Sequence, residues 1–195
     1  MQFDGLRIGF ALTGSHCTLS EITQVIQYLV DQGADVTPII SYAVESMDTR
    51  FGTAANWNSQ VQEITGKTPI HTIPDAEPVG PEKKFDCMVI APCTGNTLAK
   101  LANGITDTPV RMAAKAHLRN QRPLVIAIAT NDGLGLNARN IGTLLITKNV
   151  YLVPFGQDNP VSKANSLVAH MTKVPETVLS ACEGKQIQPV LLDYQ

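Results

Sequence analysis

Small polar residues follow three apolar runs of the sequence, at points where a strand would end and a helix would begin. The set consists of Gly14, Ser15, Ser41, Thr94, Asn96 and Thr97. Glycine lets a backbone approach an anion, hydroxyl and amide groups donate hydrogen bonds, and the first turn of a helix offers unpaired N–H groups. These residue types predict a phosphate-binding site, with helix capping and turn formation as the alternative roles of single members.

Other chemistries find less support in the residue spacing. The first turn lacks a GxGxxG motif and the second strand ends in Ser41 rather than an acidic residue, so a dinucleotide site on this chain is disfavoured. Four cysteines and four histidines are scattered without CxxC, HxxxH or HxH spacing, so we expect reduced thiols and no metal site. The net charge of −2 gives no indication of a nucleic-acid-binding surface.

A sheet is needed to bring the polar residues together. Apolar runs of strand length alternate with stretches of helical period, which is typical of βαβ units around a mostly parallel sheet. An apolar stripe at residues 167–179 predicts a C-terminal helix. The predicted strands are residues 6–12, 36–40, 70–73, 87–91, 124–129 and 151–154. We therefore predict a three-layer α/β fold, Rossmann-like or flavodoxin-like, with helices on both faces and residues 1–195 in a single domain.

The polar set falls at the carboxyl ends of these strands, which is where ligands bind in open α/β sheets. No run approaches the roughly 20 apolar residues needed to cross a bilayer, and the N-terminus lacks the features of a signal peptide. We therefore expect a cytoplasmic protein without membrane contact. Apolar residues make up 44% of the chain and charged residues 16%, so copies of the chain or a partner are expected to cover part of its surface.

Residues 91–107 read APCTGNTLAKLANGITD. This segment resembles the PASANTxAKxAxGxxD signature of the flavoprotein family, which includes flavin-dependent cysteine decarboxylases and flavin prenyltransferases. With Gly14, Ser15 and Ser41 in their expected places, the resemblance covers residues 6–154. It implies that the polar set holds the phosphate and ribityl groups of FMN. By analogy it also implies the strand order 3-2-1-4-5-6, counted along the predicted strands, and a symmetric homo-oligomer, a trimer or a dodecamer.

The chain departs from the family after the next strand. The cysteine decarboxylases carry PxMNxxMW there, whereas residues 129–135 read ATNDGLG. Only Asn131 is kept, which argues against cysteine decarboxylation and leaves Asn131 as a further FMN contact. The catalytic histidine of those enzymes precedes the PASANT strand, and His71 is its nearest counterpart here. The resemblance therefore makes His71 a candidate catalytic residue, with an ordinary loop histidine as the alternative.

The resemblance is strongest to one branch of the family and covers nearly the whole chain. It rests on three segments together: residues 91–97, 129–135 and 153–160. That branch implies a component from the mother cell of a sporulating bacterium, working beside a nucleotide-binding partner that carries NAD(P). The pair would oxidise a dihydrodipicolinate-type intermediate to pyridine-2,6-dicarboxylate. A dicarboxylate substrate requires cations or N–H donors. The cations near these loops are Lys100, Arg111, Lys115, Arg139 and Lys163. Arg139 and Lys163 are the preferred candidates, because each falls in a polar segment rather than on an obvious helix face.

The sequence is also compatible with two other functions. One is a stand-alone FMN-dependent decarboxylase or prenyltransferase, which would hold a yellow chromophore and act without a partner. The other is a non-catalytic component that binds a phosphate or a flavin. The aromatic content of 5% keeps the second alternative open, because few rings are available to stack on an isoalloxazine.

Overall fold

The computed structural model describes residues 2–193 and contains a seven-stranded sheet. Its strands are β1 (Arg7–Leu12), β2 (Asp35–Ile40), β3 (Cys87–Cys93), β4 (Leu124–Thr130), β5 (Val150–Leu152), β6 (Phe155–Asn159) and β7 (Lys163–Ala169). Strands β2, β1, β3 and β4 lie side by side in that order, and β5 pairs with the first half of β4. These pairings are all parallel, and the predicted α/β class is confirmed.

The strand order differs from the predicted 3-2-1-4-5-6 at one edge. The predicted third strand is reduced to a single parallel bridge between Ile70 and Ile39. Thr72 and Pro74 are the reason: the Thr72 hydroxyl accepts the N–H of Asp75 at 3.2 Å and caps a short helix, and Pro74 lies in the first turn of that helix. A capped turn with proline at its start favours helix over an extended segment.

The sheet is mixed: its parallel strands were predicted, and its antiparallel part was not. Strands β6 and β7 form an antiparallel hairpin, and β7 pairs antiparallel with Ala129 and Thr130 at the end of β4. Asn159 closes the hairpin turn, since its side-chain oxygen accepts the N–H groups of Val161 at 3.1 Å and Ser162 at 2.8 Å. The chain therefore returns to the carboxyl end of β4 instead of continuing away from the sheet.

The predicted helix at residues 167–179 is wrong in its first part. Leu167 and Val168 belong to β7, and the last helix begins only at Val174. A short apolar run fits both a strand and a buried helix, so periodicity alone does not separate the two. Pairing with β6 and β4 decides the matter here, because it satisfies the backbone groups of this segment within the sheet.

Helices cover both sides of the parallel strands. Threonine caps start four of them: Thr53, Thr72, Thr94 and Thr108 each accept a backbone N–H from the first turn. No helix within residues 2–193 is long and apolar enough to cross a membrane. The α-helices of the described chain are α1 (Leu19–Asp31), α2 (Tyr42–Ser46), α3 (Ala54–Thr65), α4 (Ile73–Ala76), α5 (Gly95–Ala102), α6 (Pro109–Leu118), α7 (Ala138–Leu145) and α8 (Val174–Cys182).

The direction of the chain reverses between β1 and β3. The crossover from β1 to β2 runs through α1 towards one edge, and the crossover from β3 to β4 runs through α5 and α6 towards the other. Because parallel crossovers are right-handed, the two connections lie on opposite faces of the sheet. Every residue of β3 and β4 is buried, which explains their continuous apolar sequences. A crevice opens at such a reversal, beyond the carboxyl ends of the strands.

Candidate functional site

Two adjoining cavities lie at the carboxyl edge of the sheet, and Gly14, Thr94 and Asn96 line both of them. The larger cavity, of about 640 Å³, is bounded by the ends of β1 and β4, the segment after β4 and the β6–β7 hairpin. The smaller cavity, of about 460 Å³, is bounded by the ends of β1 and β2, α5 and the start of α6. The N-terminus of α5 therefore stands between the two cavities.

A buried threonine joins the loops that follow β1 and β3. Thr13 is 1% exposed, and its hydroxyl donates to the carbonyl of Pro92 at 2.6 Å. The same oxygen accepts the backbone N–H of Thr94 at 3.1 Å. This pair of hydrogen bonds holds the Gly14 turn beside the first turn of α5.

The first turn of α5 combines capping with close packing. The Thr94 hydroxyl accepts the Thr97 N–H at 3.4 Å and lies 3.0 Å from the Thr97 hydroxyl, so these two residues take the capping role that was their alternative interpretation. Asn96 is exposed and faces both cavities. Gly95 packs so closely that a Cβ there would lie 2.5 Å from Thr130 Oγ1. Glycine at residue 95 thus lets β4 and α5 approach each other.

The smaller cavity carries positive charge and an unsatisfied hydroxyl. Ser41 Oγ is buried and has no hydrogen-bond partner among residues 2–193. Lys100 and Arg111 line the cavity together with one carboxylate, Asp107, which leaves a net charge of +1. Lys100 donates to Asp107 at 2.6 Å, and this bond and a second one from Arg111 keep the pKa of Asp107 below its usual range. The surroundings therefore favour an anion.

The larger cavity contains an ionised carboxylate that sequence reasoning missed. Asp132 accepts the Thr130 hydroxyl at 2.5 Å, and both of its oxygens accept the Asn137 amide at 2.9 Å. The bond from Thr130, followed by those from Asn137, lowers the pKa of Asp132. Asn137 is itself oriented by Asn140, whose amide donates to its oxygen at 2.8 Å. The polar composition of residues 130–140 was the signal that could have identified this cluster.

The β6–β7 hairpin supplies the remaining wall of the larger cavity. Lys163 reaches it while donating to Asp158 at 2.6 Å, and this pairing raises the pKa of Lys163. Ser166 is 1% exposed, and its hydroxyl has no hydrogen-bond partner within the described chain. A buried hydroxyl without a partner at a cavity wall is available to a bound ligand. Asp132 and Asp158 against Lys163 give this cavity a net charge of −1.

Most of the predicted site residues meet at these cavities. Ser15 and Asn131 line the larger cavity, as does Lys163, and Ser41 and Thr97 line the smaller one. Together with the three shared residues, they bring eight of the ten candidates to one edge of the sheet. Their predicted contacts with FMN or substrate stay predictions.

His71 and Arg139 lie apart from the other candidates. His71 is exposed and its Nδ1 pairs with Glu45 at 2.7 Å, and it lines neither cavity. Arg139 is exposed in the first turn of α7 rather than in a polar loop, and it also lines neither cavity. The polar segment that contains Arg139 becomes helical from Ala138 onward, and the Arg139 side chain is exposed on this helix. The catalytic role of His71 and the substrate role of Arg139 stay predictions that neither cavity supports.

Cysteine and histidine side chains do not form a cluster at the site. All four cysteines are free thiols, and Cys87 and Cys93 are buried in β3. Over residues 2–193, no group of three or more histidine, cysteine, aspartate or glutamate side chains is placed to hold a metal ion.

Comparisons with known proteins give the family. The sequence model of the flavoprotein family matches residues 2–180. The B-subunit of dipicolinate synthase from Bacillus subtilis is 51% identical over 192 residues, which are 98% of this chain and 96% of that protein. The crystal structure of the dipicolinate synthase B-subunit from Bacillus halodurans matches with a TM-score of 0.92 and 50% identity over 100% of both chains.

A more distant structure shares the fold alone. The FMN-dependent cysteine decarboxylase SpaF has a TM-score of 0.68 at 18% identity, over 93% of this chain and 99% of its own. The resemblance carried by residues 91–107 is confirmed by the family match and by the relatives of about 50% identity. The chain belongs to the flavoprotein family.

Proposed function

We propose that this chain acts as the B-subunit of a dipicolinate synthase, binds FMN, and works with the A-subunit to oxidise a dihydrodipicolinate-type intermediate to pyridine-2,6-dicarboxylate. The observation that carries the proposal is 51% identity to the dipicolinate synthase B-subunit of Bacillus subtilis over 98% of the chain. Two joined cavities at the carboxyl edge of the sheet support it, because a cofactor and a substrate need adjacent space there.

The smaller cavity fits the phosphate of FMN. Its lining groups carry a net charge of +1, and the buried Ser41 hydroxyl has no other partner within the described chain. Gly14 permits close backbone approach, and the first turn of α5 adds N–H groups beside Thr94 and Thr97. The larger cavity has the opposite net charge, so the phosphate is directed to the smaller one.

The larger cavity has room for a ring system and a small dicarboxylate. Its volume of about 640 Å³ falls in the range of small-molecule sites. Ser15, Asn96 and Asn131 hold the cofactor on the side shared with α5, and Lys163 and Ser166 hold a substrate carboxylate on the hairpin side. FMN, when bound, supplies a hydride acceptor, and the work of this chain is to bind and orient.

The partner and the assembly follow from the same proposal. The A-subunit carries NAD(P), so that electrons removed from the substrate have an acceptor beyond the flavin. The chain forms a symmetric homo-oligomer, a trimer or a dodecamer, and acts in the cytoplasm of the mother cell during sporulation. Tyr42, which lines the smaller cavity, and Leu134, in the segment after β4, have exposed side chains that support a protein contact at this edge.

The visible absorption spectrum of the purified chain, with and without added FMN, tests the proposal. We expect a saturable change in the flavin bands, and about tenfold weaker FMN binding in Ser41→Ala because a charge-assisted hydrogen bond is lost. Ser59→Ala, on the exposed side of α3, is the control and should bind like the wild type. No saturable signal at millimolar FMN would contradict the flavin assignment.

Activity measurements separate the alternatives. The wild-type chain mixed with the A-subunit should convert the dihydro compound to the aromatic dicarboxylate, and neither protein should do so by itself. Decarboxylation or prenyl transfer by the chain alone would support a stand-alone flavoenzyme instead. FMN binding with no contribution to dipicolinate formation in the presence of the A-subunit would support a non-catalytic role.

A further inference from the structure

We propose that Arg111 is a positioning residue that fixes the side-chain amide of Asn96 as a hydrogen-bond donor towards the ligand. The inference rests on the proposed function, in which Asn96 contacts FMN. Arg111 lies in the first turn of α6 and follows Asn96 by 15 residues in the chain. Arg111 lies outside the flavoprotein signature segment, which ends at Asp107.

The guanidinium group of Arg111 is buried between two partners. Its side chain is 4% exposed, and Nη1 donates to Asn96 Oδ1 at 3.3 Å. The other terminal nitrogen donates to Asp107, whose second oxygen accepts Lys100 at 2.6 Å. The fork of a guanidinium is planar and rigid, so anchoring one side on Asp107 sets the direction of the other. Arg111 is thus held where it presents an N–H to Asn96.

This contact decides which end of the Asn96 amide faces the cavities. Arginine donates hydrogen bonds and accepts none, so the oxygen of Asn96 turns towards Arg111. The NH2 group of Asn96 then points away from Arg111, towards the space that both cavities share. Phosphate, ribityl and carbonyl oxygens all accept hydrogen bonds, and a fixed donor meets them without losing rotamer freedom on binding.

Burial of this cation is not explained by packing alone. A buried charge is costly unless it is paired, and its one acidic partner within the described chain, Asp107, is 49% exposed at the surface. The Nε of Arg111 has no partner among residues 2–193. A leucine or a methionine at residue 111 would fill the same place in the first turn of α6 without burying a charge. A buried arginine beside an exposed ligand-facing amide fits a role at the site better than a role in the core.

The first test needs no flavin. In a 15N-HSQC spectrum, the side-chain NH2 signals of Asn96 are identified as those lost in Asn96→Ala. Arg111→Met should shift and broaden these signals, because the amide would then rotate freely. Arg119→Met, which removes an exposed arginine at the end of the same helix, should leave them unchanged. Unchanged Asn96 signals in Arg111→Met would overturn the proposal.

The second test is a double-mutant cycle on FMN affinity, measured by flavin fluorescence. Arg111→Lys, which keeps the positive charge of the smaller cavity but loses the fork, and Asn96→Ala should each weaken binding about tenfold, and the double variant should be no weaker than about twentyfold, since both changes remove one interaction. A loss of about a hundredfold in the double variant would mean that Arg111 acts on FMN independently of Asn96 and would overturn the proposal. Arg111→Met also removes the charge that favours the FMN phosphate and is expected to bind FMN more weakly than Arg111→Lys.

The two tests keep this inference separate from the proposed function. If the wild type binds no FMN, the proposed function fails and the HSQC comparison alone judges the contact between Arg111 and Asn96. If Arg111→Met does not fold, Arg111→Lys takes its place in the HSQC comparison as well. Wild-type FMN affinity in Arg111→Lys, together with unchanged Asn96 signals, would then overturn the positioning role.

Discussion

Thr13 and Pro92 are joined by a 2.6 Å hydrogen bond from the threonine hydroxyl to the proline carbonyl, at the ends of two neighbouring strands. The same hydroxyl oxygen accepts the N–H of Thr94 at 3.1 Å. One buried side chain thereby sets the distance between the Gly14 turn and the start of α5. The shared wall of both cavities depends on this distance.

Replacement of Thr13 by valine should destabilise the protein by about 1–3 kcal/mol, because a buried carbonyl and a partly buried N–H would each lose a partner. FMN binding should weaken in parallel, since the loops that form the shared wall would no longer be tied. Equilibrium unfolding in urea measures the first effect. Thr13→Ser, which keeps the hydroxyl, is the control, and equal stability of the two variants would contradict the role given to this residue.

Gly95→Ala should disturb the larger cavity. A Cβ at residue 95 would lie 2.5 Å from Thr130 Oγ1 and 2.6 Å from Asn137 Nδ2, so the Asp132 cluster would have to move. We expect a loss of about 1–3 kcal/mol in the free energy of unfolding, as for other overpacked sites, and weaker ligand binding.

Gly142→Ala is a matched control for Gly95→Ala. It changes another helical glycine, in α7, where an added Cβ has open space. That variant should gain about 0.5–1 kcal/mol from helix propensity. If Gly95→Ala is as stable as Gly142→Ala and binds ligand normally, the close packing at the start of α5 has no functional consequence.

Lys163→Met should weaken binding of the dicarboxylate without changing FMN affinity. A charge-assisted hydrogen bond contributes about 1.5–3 kcal/mol, so KM should rise by about tenfold or more. Lys163 lines the larger cavity and lies outside the smaller one, which is the basis for the separation. Ser166→Ala should act in the same direction with a smaller effect. Lys185→Met, at a surface ion pair with Glu183, is the control, and a KM equal to that control would contradict the substrate role.

We expect His117 to make the free energy of unfolding depend on pH in mildly acidic solution. Its side chain is 1% exposed, its Nε2 lies 2.9 Å from the carbonyl of Pro123, and burial lowers its pKa to about 4. Between about pH 6.5 and pH 4, the His117 side chain is protonated in the unfolded chain and neutral in the folded chain. The free energy of unfolding should therefore fall as the pH is lowered through this window, by up to about 3 kcal/mol.

Comparison of the wild type with His117→Gln measures this contribution. Urea unfolding at several values between about pH 7.5 and pH 4 should give a smaller decrease for the variant, because glutamine does not titrate. The difference in stability at the upper end of this range, where both side chains are neutral, reports the changes in packing and in the contact with Pro123. Parallel curves for the two proteins across the window would show that His117 is not the group responsible.

The sequence was informative where local chemistry decides structure. The apolar runs at residues 87–91 and 124–129 became β3 and β4, because a strand buried on both faces has no polar positions. Thr94 was recognisable as a residue at the start of a helix, and it caps α5. Residue types alone were less informative at Leu167, where a strand and a helix were equally compatible with a short apolar run.

Long-range pairing accounts for what could not be predicted. Asp132 and Asn137 were individually ordinary turn residues, and only their packing against Gly95 identifies them as part of the site. Arg139 and Lys163 were equivalent candidates in the sequence. Arg139 is exposed at the start of α7, whereas the return of β7 to β4 brings Lys163 to the larger cavity.

The sequence by itself determined the α/β class, the family and the polar residues at the strand ends, because these depend on composition, period and motif within short stretches. The tertiary structure decided which cations face the ligand space. Arg111 reaches Asn96 from a different helix, and Lys163 arrives through an antiparallel hairpin. Contacts of this kind join residues far apart in the chain, and their distances are set by the packing of whole elements rather than by local propensity.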